Sequence, residues 1–272
     1  MPRSSDVLVY RNRTIADREE RTLTADVYGP DSPPTGTGDP AETTEPARPL
    51  VVFVYGGAWE TGSTGQFARW ALDAVEEGFV AAEVSYRLGH EAPFPAQIED
   101  VCEGIDWLTD RADEFGIDPD AVAVVGHSAG AHLALLAALS DDEFGRRTDI
   151  DAAVGVSGVY DLRADDHERA GESPPLFDGR PSAAELRRCS PITYVDDDTD
   201  ADADAPPTLL LHGSEDSVVA PDQSARLADA LEAAGNEVEY DAVAAADHVF
   251  LHSSYHYPAV RKQVFSFLRE AL

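Results

Sequence analysis

Ser128 lies in the segment Gly126-His127-Ser128-Ala129-Gly130, preceded by the apolar run AVAVVGH (121–127) and followed by AGAHLALLAAL (129–139). This is G-x-S-x-G set between a strand and a helix. Small flanking residues let the chain turn sharply there, which strains the serine backbone and exposes its hydroxyl. The start of the following helix favours negative charge developing nearby. A serine hydroxyl is a poor nucleophile near neutral pH. It requires a histidine to take its proton and a carboxylate to orient that histidine.

Two later segments supply these groups, acid before base, the order that accompanies such an elbow. Asp216 follows the apolar run TLLLHG (208–213), 88 residues after Ser128, and His248 follows EVEYDAV (237–243), 32 residues further on. Loops at the carboxyl ends of parallel strands converge on one edge of the sheet, so the three side chains can meet. Neighbouring candidates read differently. Asp222 stands where a helix begins and reads as a first-turn charge. Asp247 adjoins His248, and adjacent side chains point apart. His252 is the second candidate for the base, with His256 beyond it. His212 reads as support for the acid loop. His127 and His132 read as packing or hydrogen-bonding residues of the elbow and its helix.

The segment VVFVYGGAWETG (51–62) ends a core-like strand on two glycines. A simple turn would explain that. Acyl transfer explains it better, because the tetrahedral oxyanion needs preorganised N–H donors. One donor is the N–H of the residue after the nucleophile, Ala129, and the others come from the loop after the third strand. Gly56 and Gly57 hold that place, and a backbone without side chains permits close approach.

The elements that must position these residues alternate along the chain. VLVYRN and RTLTADVYG alternate apolar and polar residues, as an antiparallel hairpin does. The segment 30–49 is Pro/Gly/Thr-rich and reads as a surface loop. From residue 50, the apolar runs LVVFVY, FVAAEVSY, AVAVVGH, AAVGVSG, TLLLHG and EVEYDAV are interleaved with helical periodicity near 65–77, 95–114, 129–140, 221–234 and 257–271. That pattern predicts an α/β fold in which helices cover both faces of a mostly parallel sheet. The irregular stretch 159–207 contains DDDTDADADAPP and reads as a solvated, lid-like insertion into a single domain.

Composition narrows the function further. Twenty basic residues face 52 acidic ones, for a formal net charge of −32, and only Lys262 among the basic residues is a lysine. Such a surface repels nucleic acid and anionic membranes, so neither is an expected partner. The acids are spread along the whole chain, as in proteins adapted to high salt. No secretory leader is visible and no apolar run of ~18 residues is present, so nothing is expected to span a membrane. Cys102 and Cys189 suggest neither a disulfide framework nor a metal site. A reduced, cytoplasmic protein is the expectation.

The set YGGAW (55–59), SYRL (85–88), GHSAGAHLA (126–134), SGVYDL (157–162), SPI (190–192), HGSED (212–216) and DHVF (247–250) resembles the α/β-hydrolase superfamily. Within it, the chain is similar to hormone-sensitive-lipase-like esterases, and most to the kynurenine formamidase and small carboxylesterase branch. The resemblance covers roughly residues 50–270. It implies cofactor-free hydrolysis of short-chain carboxylic esters through an acyl-enzyme, with aryl formamides as the alternative substrates. A non-catalytic receptor on the same fold typically lacks a triad residue, and all three candidates are present here. The family usually carries His-Gly-Gly where this chain has Tyr55-Gly56-Gly57. The family histidine supports the loop from behind, a task the Tyr55 hydroxyl could assume. Trp59, Tyr86, Tyr160 and Phe250 adjoin the motif loops and are candidates to line a substrate pocket, the alternative being ordinary core aromatics.

Overall fold

The alternating N-terminal segments form β1 (Val7–Asp17) and β2 (Thr22–Pro30), paired antiparallel with Val7 opposite Pro30 and Asp17 opposite Thr22. The apolar runs become β3 (Arg48–Val54), β4 (Val80–Val84), β5 (Ile117–His127), β6 (Ala152–Val156), β7 (Thr208–Gly213) and β8 (Val238–Val243). In this computed structural model, which describes residues 7–31, 46–163, 174–195 and 205–272, the strands lie in one sheet ordered β1-β2-β4-β3-β5-β6-β7-β8. β2 joins β4 antiparallel, with Ala25 opposite Val84, and β3 to β8 are parallel. Every residue of β4, β6 and β7 is buried, as uninterrupted apolar strands must be when both faces are covered. The mostly parallel α/β sheet expected from the sequence is present.

The helices fall where periodicity put them: α1 (Ala68–Glu76), α2 (Ala96–Thr109), the single turn α3 (Ala112–Phe115), α4 (Ala129–Leu139), α6 (Asp222–Ala233) and α7 (Tyr257–Ala271). The helix expected near 95–114 breaks after Thr109, and Gly116 ends α3 in the left-handed region at φ 70°. Within 159–207 lie the short α5 (Ala183–Arg188) and a 3-10 turn, Pro191–Tyr194. The acidic residues 196–204, residues 164–173 and most of the 30–49 loop are outside the described residues.

Two adjacent β4 residues show the layering. Glu83 bonds the loop ahead of α1, accepting from Gly65 and Phe67 N–H at 2.8 and 2.9 Å, and Val84 meets Gly104 of α2. Successive strand residues face opposite sides, so α1 and α2 cover opposite faces. α7 joins α1 on its side, with Trp70 edge-on to Tyr257 and Arg261 2.7 Å from Asp73. α4 packs on β5 and β6 beneath α2. All eleven of its residues are buried, which suits a helix apolar on every side. The buried centre of the fold therefore leads directly to Ser128.

Candidate active site

Ser128 joins β5 to α4 at φ 55° and ψ −122°, a conformation that costs a non-glycine residue free energy and requires support. Its N–H donates to Val156 O at 2.8 Å, and its carbonyl accepts from His132 N–H at 3.1 Å. The flanking glycines are steric necessities. A Cβ on Gly126 would sit 2.2 Å from Gly130 O, and one on Gly130 would sit 2.0 Å from Val54 O. The elbow is wedged against the end of β3, and any larger residue would push the two apart.

The acid and base arrive from the next strands. The loop after β7 holds Asp216, whose Oδ1 accepts the Val218 and Val219 N–H groups, both at 2.9 Å. His248 follows β8. Its Nδ1 lies 2.7 Å from Asp216 Oδ2 and its Nε2 2.9 Å from Ser128 Oγ. Burial pushes the Asp216 carboxyl up. The His248 bond and the two amides outweigh this and hold it below the usual carboxylate range. An ionised Asp216 accepts from Nδ1–H and leaves the Nε2 lone pair facing the hydroxyl, the arrangement for proton removal.

The other candidates take separate places. His212 is fully buried behind Asp216. Its Nε2 faces Val219 O at 3.1 Å and Asp216 Oδ2 at 3.2 Å, and its Nδ1 lies 2.7 Å from Ser224 Oγ. Asp222 pairs with Arg226 on α6 at 2.7 Å. Asp247 accepts the Val249 N–H through Oδ1. His252 packs edge-on to Phe67 and His127 and is exposed. His127 donates from Nε2 to the His248 carbonyl at 2.8 Å, tying the elbow to the base loop. Burial lowers the His127 pKa to about 4, so the ring is neutral at physiological pH.

Of the N–H groups expected to face an oxyanion, the one on Gly56 already has a protein acceptor. The Gly56 N–H donates to Gln66 Oε1 at 2.9 Å and is therefore occupied. Gly56 is glycine because a Cβ there would meet His127 O at 2.7 Å and Ser128 Cβ at 3.1 Å. Gly57 adopts φ 134°, where a Cβ would strike Thr61 O at 2.3 Å. Among the described residues, the N–H groups of Gly57, Ala58 and Ala129 have no protein acceptor. Neither the open N–H of Ala58 nor the Gln66 acceptor is legible in the sequence, because alanine and a single loop glutamine carry no mark of a backbone role.

Three of the four aromatics are fully buried. Tyr86, Tyr160 and Phe250 expose 0% of their surface and Trp59 5%, so the first three cannot touch a molecule arriving from solvent. Tyr55 and Tyr86 stack with ring centroids 4.4 Å apart. The Tyr86 hydroxyl donates to Tyr55 O at 2.9 Å, and the Tyr55 hydroxyl donates to Tyr86 O at 3.3 Å. Arg21 reaches both, at 3.1 Å from Tyr86 O and 3.4 Å from the Tyr55 hydroxyl. Burial raises both phenol pKa values, which keeps both hydroxyls protonated. Tyr55 thus braces the strand end from below. Gln223 does the same for the loop after β6, accepting the Tyr160 and Asp161 N–H groups at 2.8 Å each.

Residues 39–231 match the family described as BD-FAE. The chain is 33% identical over 226 residues to esterase LipQ of Mycobacterium tuberculosis (strain ATCC 25618 / H37Rv), covering 74% of this chain and 50% of that protein. It is 34% identical over 226 residues to esterase LipC of the same organism, covering 76% and 54%. The chain therefore spans about half the length of these relatives. Its fold is similar to that of the propionate-bound esterase Est2 of Thermogutta terrifontis, with a TM-score of 0.75, 24% identity, and coverage of 99% of this chain and 96% of that one.

Proposed function

The chain belongs to the BD-FAE family of α/β-hydrolases, and from that premise we propose that it is a serine carboxylesterase for small carboxylic esters. The observation that carries the reading is the unbroken path from Asp216 Oδ2 through His248 to Ser128 Oγ, with steps of 2.7 and 2.9 Å. Ser128 attacks the acyl carbon while His248 Nε2 takes its proton. The oxyanion forms against the N–H groups of Ala129, Gly57 and Ala58. His248 then protonates the departing alcohol. Water, activated by the same imidazole, releases the acid and restores the serine. Asp216 stays ionised throughout and holds the ring by Nδ1–H.

That the mycobacterial relatives are named esterases supports esters as the substrate class. Among the described residues, no helix is long and apolar enough to cross a membrane. Both cysteines are free and buried. The test is parallel turnover of p-nitrophenyl acetate, p-nitrophenyl octanoate and N-formylkynurenine by the wild type and Ser128→Ala. The expected result is ester turnover, strongest on the acetate, that vanishes in the variant together with fluorophosphonate labelling. Turnover of N-formylkynurenine alone would replace esterase with formamidase. Labelling that persists in Ser128→Ala would remove Ser128 as the nucleophile.

A further inference from the structure

Two consecutive non-glycine residues of the oxyanion loop, Ala58 and Trp59, lie in the left-handed region at φ 52° and 61°. Such residues persist only where their surroundings over-determine them. Trp59 is held in three ways. Its carbonyl accepts the Gly89 N–H at 2.8 Å. Its ring stands edge-on to His132, with centroids 5.1 Å apart at 88°. Its indole Nε1–H donates to His132 Nδ1 at 3.2 Å.

The far nitrogen of His132, Nε2, lies 2.6 Å from the carbonyl oxygen of Cys189. A carbonyl only accepts, so Nε2 carries the proton and Nδ1 the lone pair that receives the indole N–H. One tautomer satisfies both partners. His132 is 0% exposed and Trp59 5%, so water has little access to compete for either bond. His132 also sits one turn into α4, with its N–H on Ser128 O. The indole bond thus joins the loop that presents Gly57 and Ala58 to the helix that presents Ser128 and Ala129.

We propose that the chain Trp59–His132–Cys189 sets the oxyanion donors, with Trp59 and His132 as positioning residues that touch no substrate. This rests on the esterase reading above. Donors stabilise a developing oxyanion only when they are already aimed at it, so loosening the loop weakens transition-state binding more than substrate binding. The effect belongs in kcat.

Trp59→Phe keeps an aromatic ring and deletes the N–H. With kcat normalised to active sites titrated by a fluorophosphonate, it should fall about 10- to 100-fold on p-nitrophenyl butyrate. KM should change less than about threefold, and the rate constant of phosphonylation should fall with kcat. His132→Asn retains an acceptor near the place of Nδ1 and should keep more activity per site than His132→Leu. A merely structural bond would lower the number of titratable sites and leave turnover per site intact. Wild-type kcat per site and unchanged phosphonylation in Trp59→Phe would overturn the proposal. Turnover surviving in Ser128→Ala would instead break the esterase reading, whatever Trp59 does.

Discussion

The loops after β7 and β8 reach Ser128 through side chains, whereas the loop after β3 reaches it through backbone. On the acid–base side, Asp216, His248 and Ser128 are joined by two short bonds made entirely by side-chain atoms. On the proposed oxyanion side, the donors are backbone N–H groups positioned by what surrounds them. Gly56 lies against the elbow, Gln66 takes its N–H, Tyr55 stacks on Tyr86, and Trp59 is held by His132. Deleting a side chain on the first side removes the chemistry. Deleting one on the second side moves a donor and leaves the chemistry possible. Mutations should therefore fall into two classes of very different size.

The largest effects belong to the acid–base side. His248→Ala should cost kcat on the order of 10⁴- to 10⁶-fold, since such residues act as a unit. Asp216→Asn should cost about 10⁴-fold through the wrong tautomer of His248. His252→Ala should stay within about fivefold of wild type, because no hydrogen bond joins His252 to Ser128 or Asp216 among the described residues. Kinetics of these three variants would break the comparison if His252→Ala were the inactive one.

His127 bridges the elbow and the base loop, so its loss should be intermediate. His127→Phe should lower kcat about tenfold by releasing the His248 carbonyl. It also carries a pH signature. Its folded pKa, about 4, lies below the ordinary 6.5. Between these values the unfolded chain binds a proton that the folded chain refuses. Its contribution to stability is therefore full above pH 6.5 and is lost as pH falls toward 4. Urea unfolding at pH 4.5 and 7 should show a smaller stability difference in His127→Phe than in wild type.

Smaller changes are expected where the oxyanion side is braced from below. Tyr55→Phe leaves the Tyr86 N–H and carbonyl short of a partner whose contacts were 3.3 Å long. The cost should be about 1 kcal/mol, or about 2–4 °C in Tm. A severalfold fall in kcat with KM unchanged would place Tyr55 with Trp59; unchanged kinetics would make it a packed aromatic only. Salt should separate the surface from both arms. At a formal charge of −32, Tm should rise from 0.1 to 1 M KCl as the Debye length shrinks from ~10 to ~3 Å, and rise less steeply to 3 M. The bonds around Ser128 are mostly buried, so turnover per active site should change less than Tm does. A flat or falling Tm would leave the acidity without a high-salt explanation.

Most of the scaffold and the acid–base side were legible because the relevant signals are local. Uninterrupted apolar runs demand two covered faces, and helical periodicity located α1, α4, α6 and α7 within a few residues. A serine between two glycines, an aspartate after one core strand and a histidine after the next each announce themselves by residue type. The antiparallel seam between β2 and β4 was not legible, since neither segment carries a mark of its neighbour.

What the sequence determined by itself was the set of reactive side chains and the sheet edge where they meet, because reactivity resides in residue identity and the loops at the carboxyl ends of parallel strands share one edge. The tertiary structure alone decided which N–H groups are free. Every residue but proline has an N–H, so identity says nothing about which one is spent. Gly56 is spent on Gln66, ten positions away, whereas the N–H of Ala58 has no protein acceptor and adjoins a tryptophan whose partner, His132, is 73 residues distant. The same holds for the aromatics. Tyr86, Tyr160 and Phe250 adjoin motif loops in sequence, yet packing from other elements removes them from solvent and makes them supports rather than pocket walls.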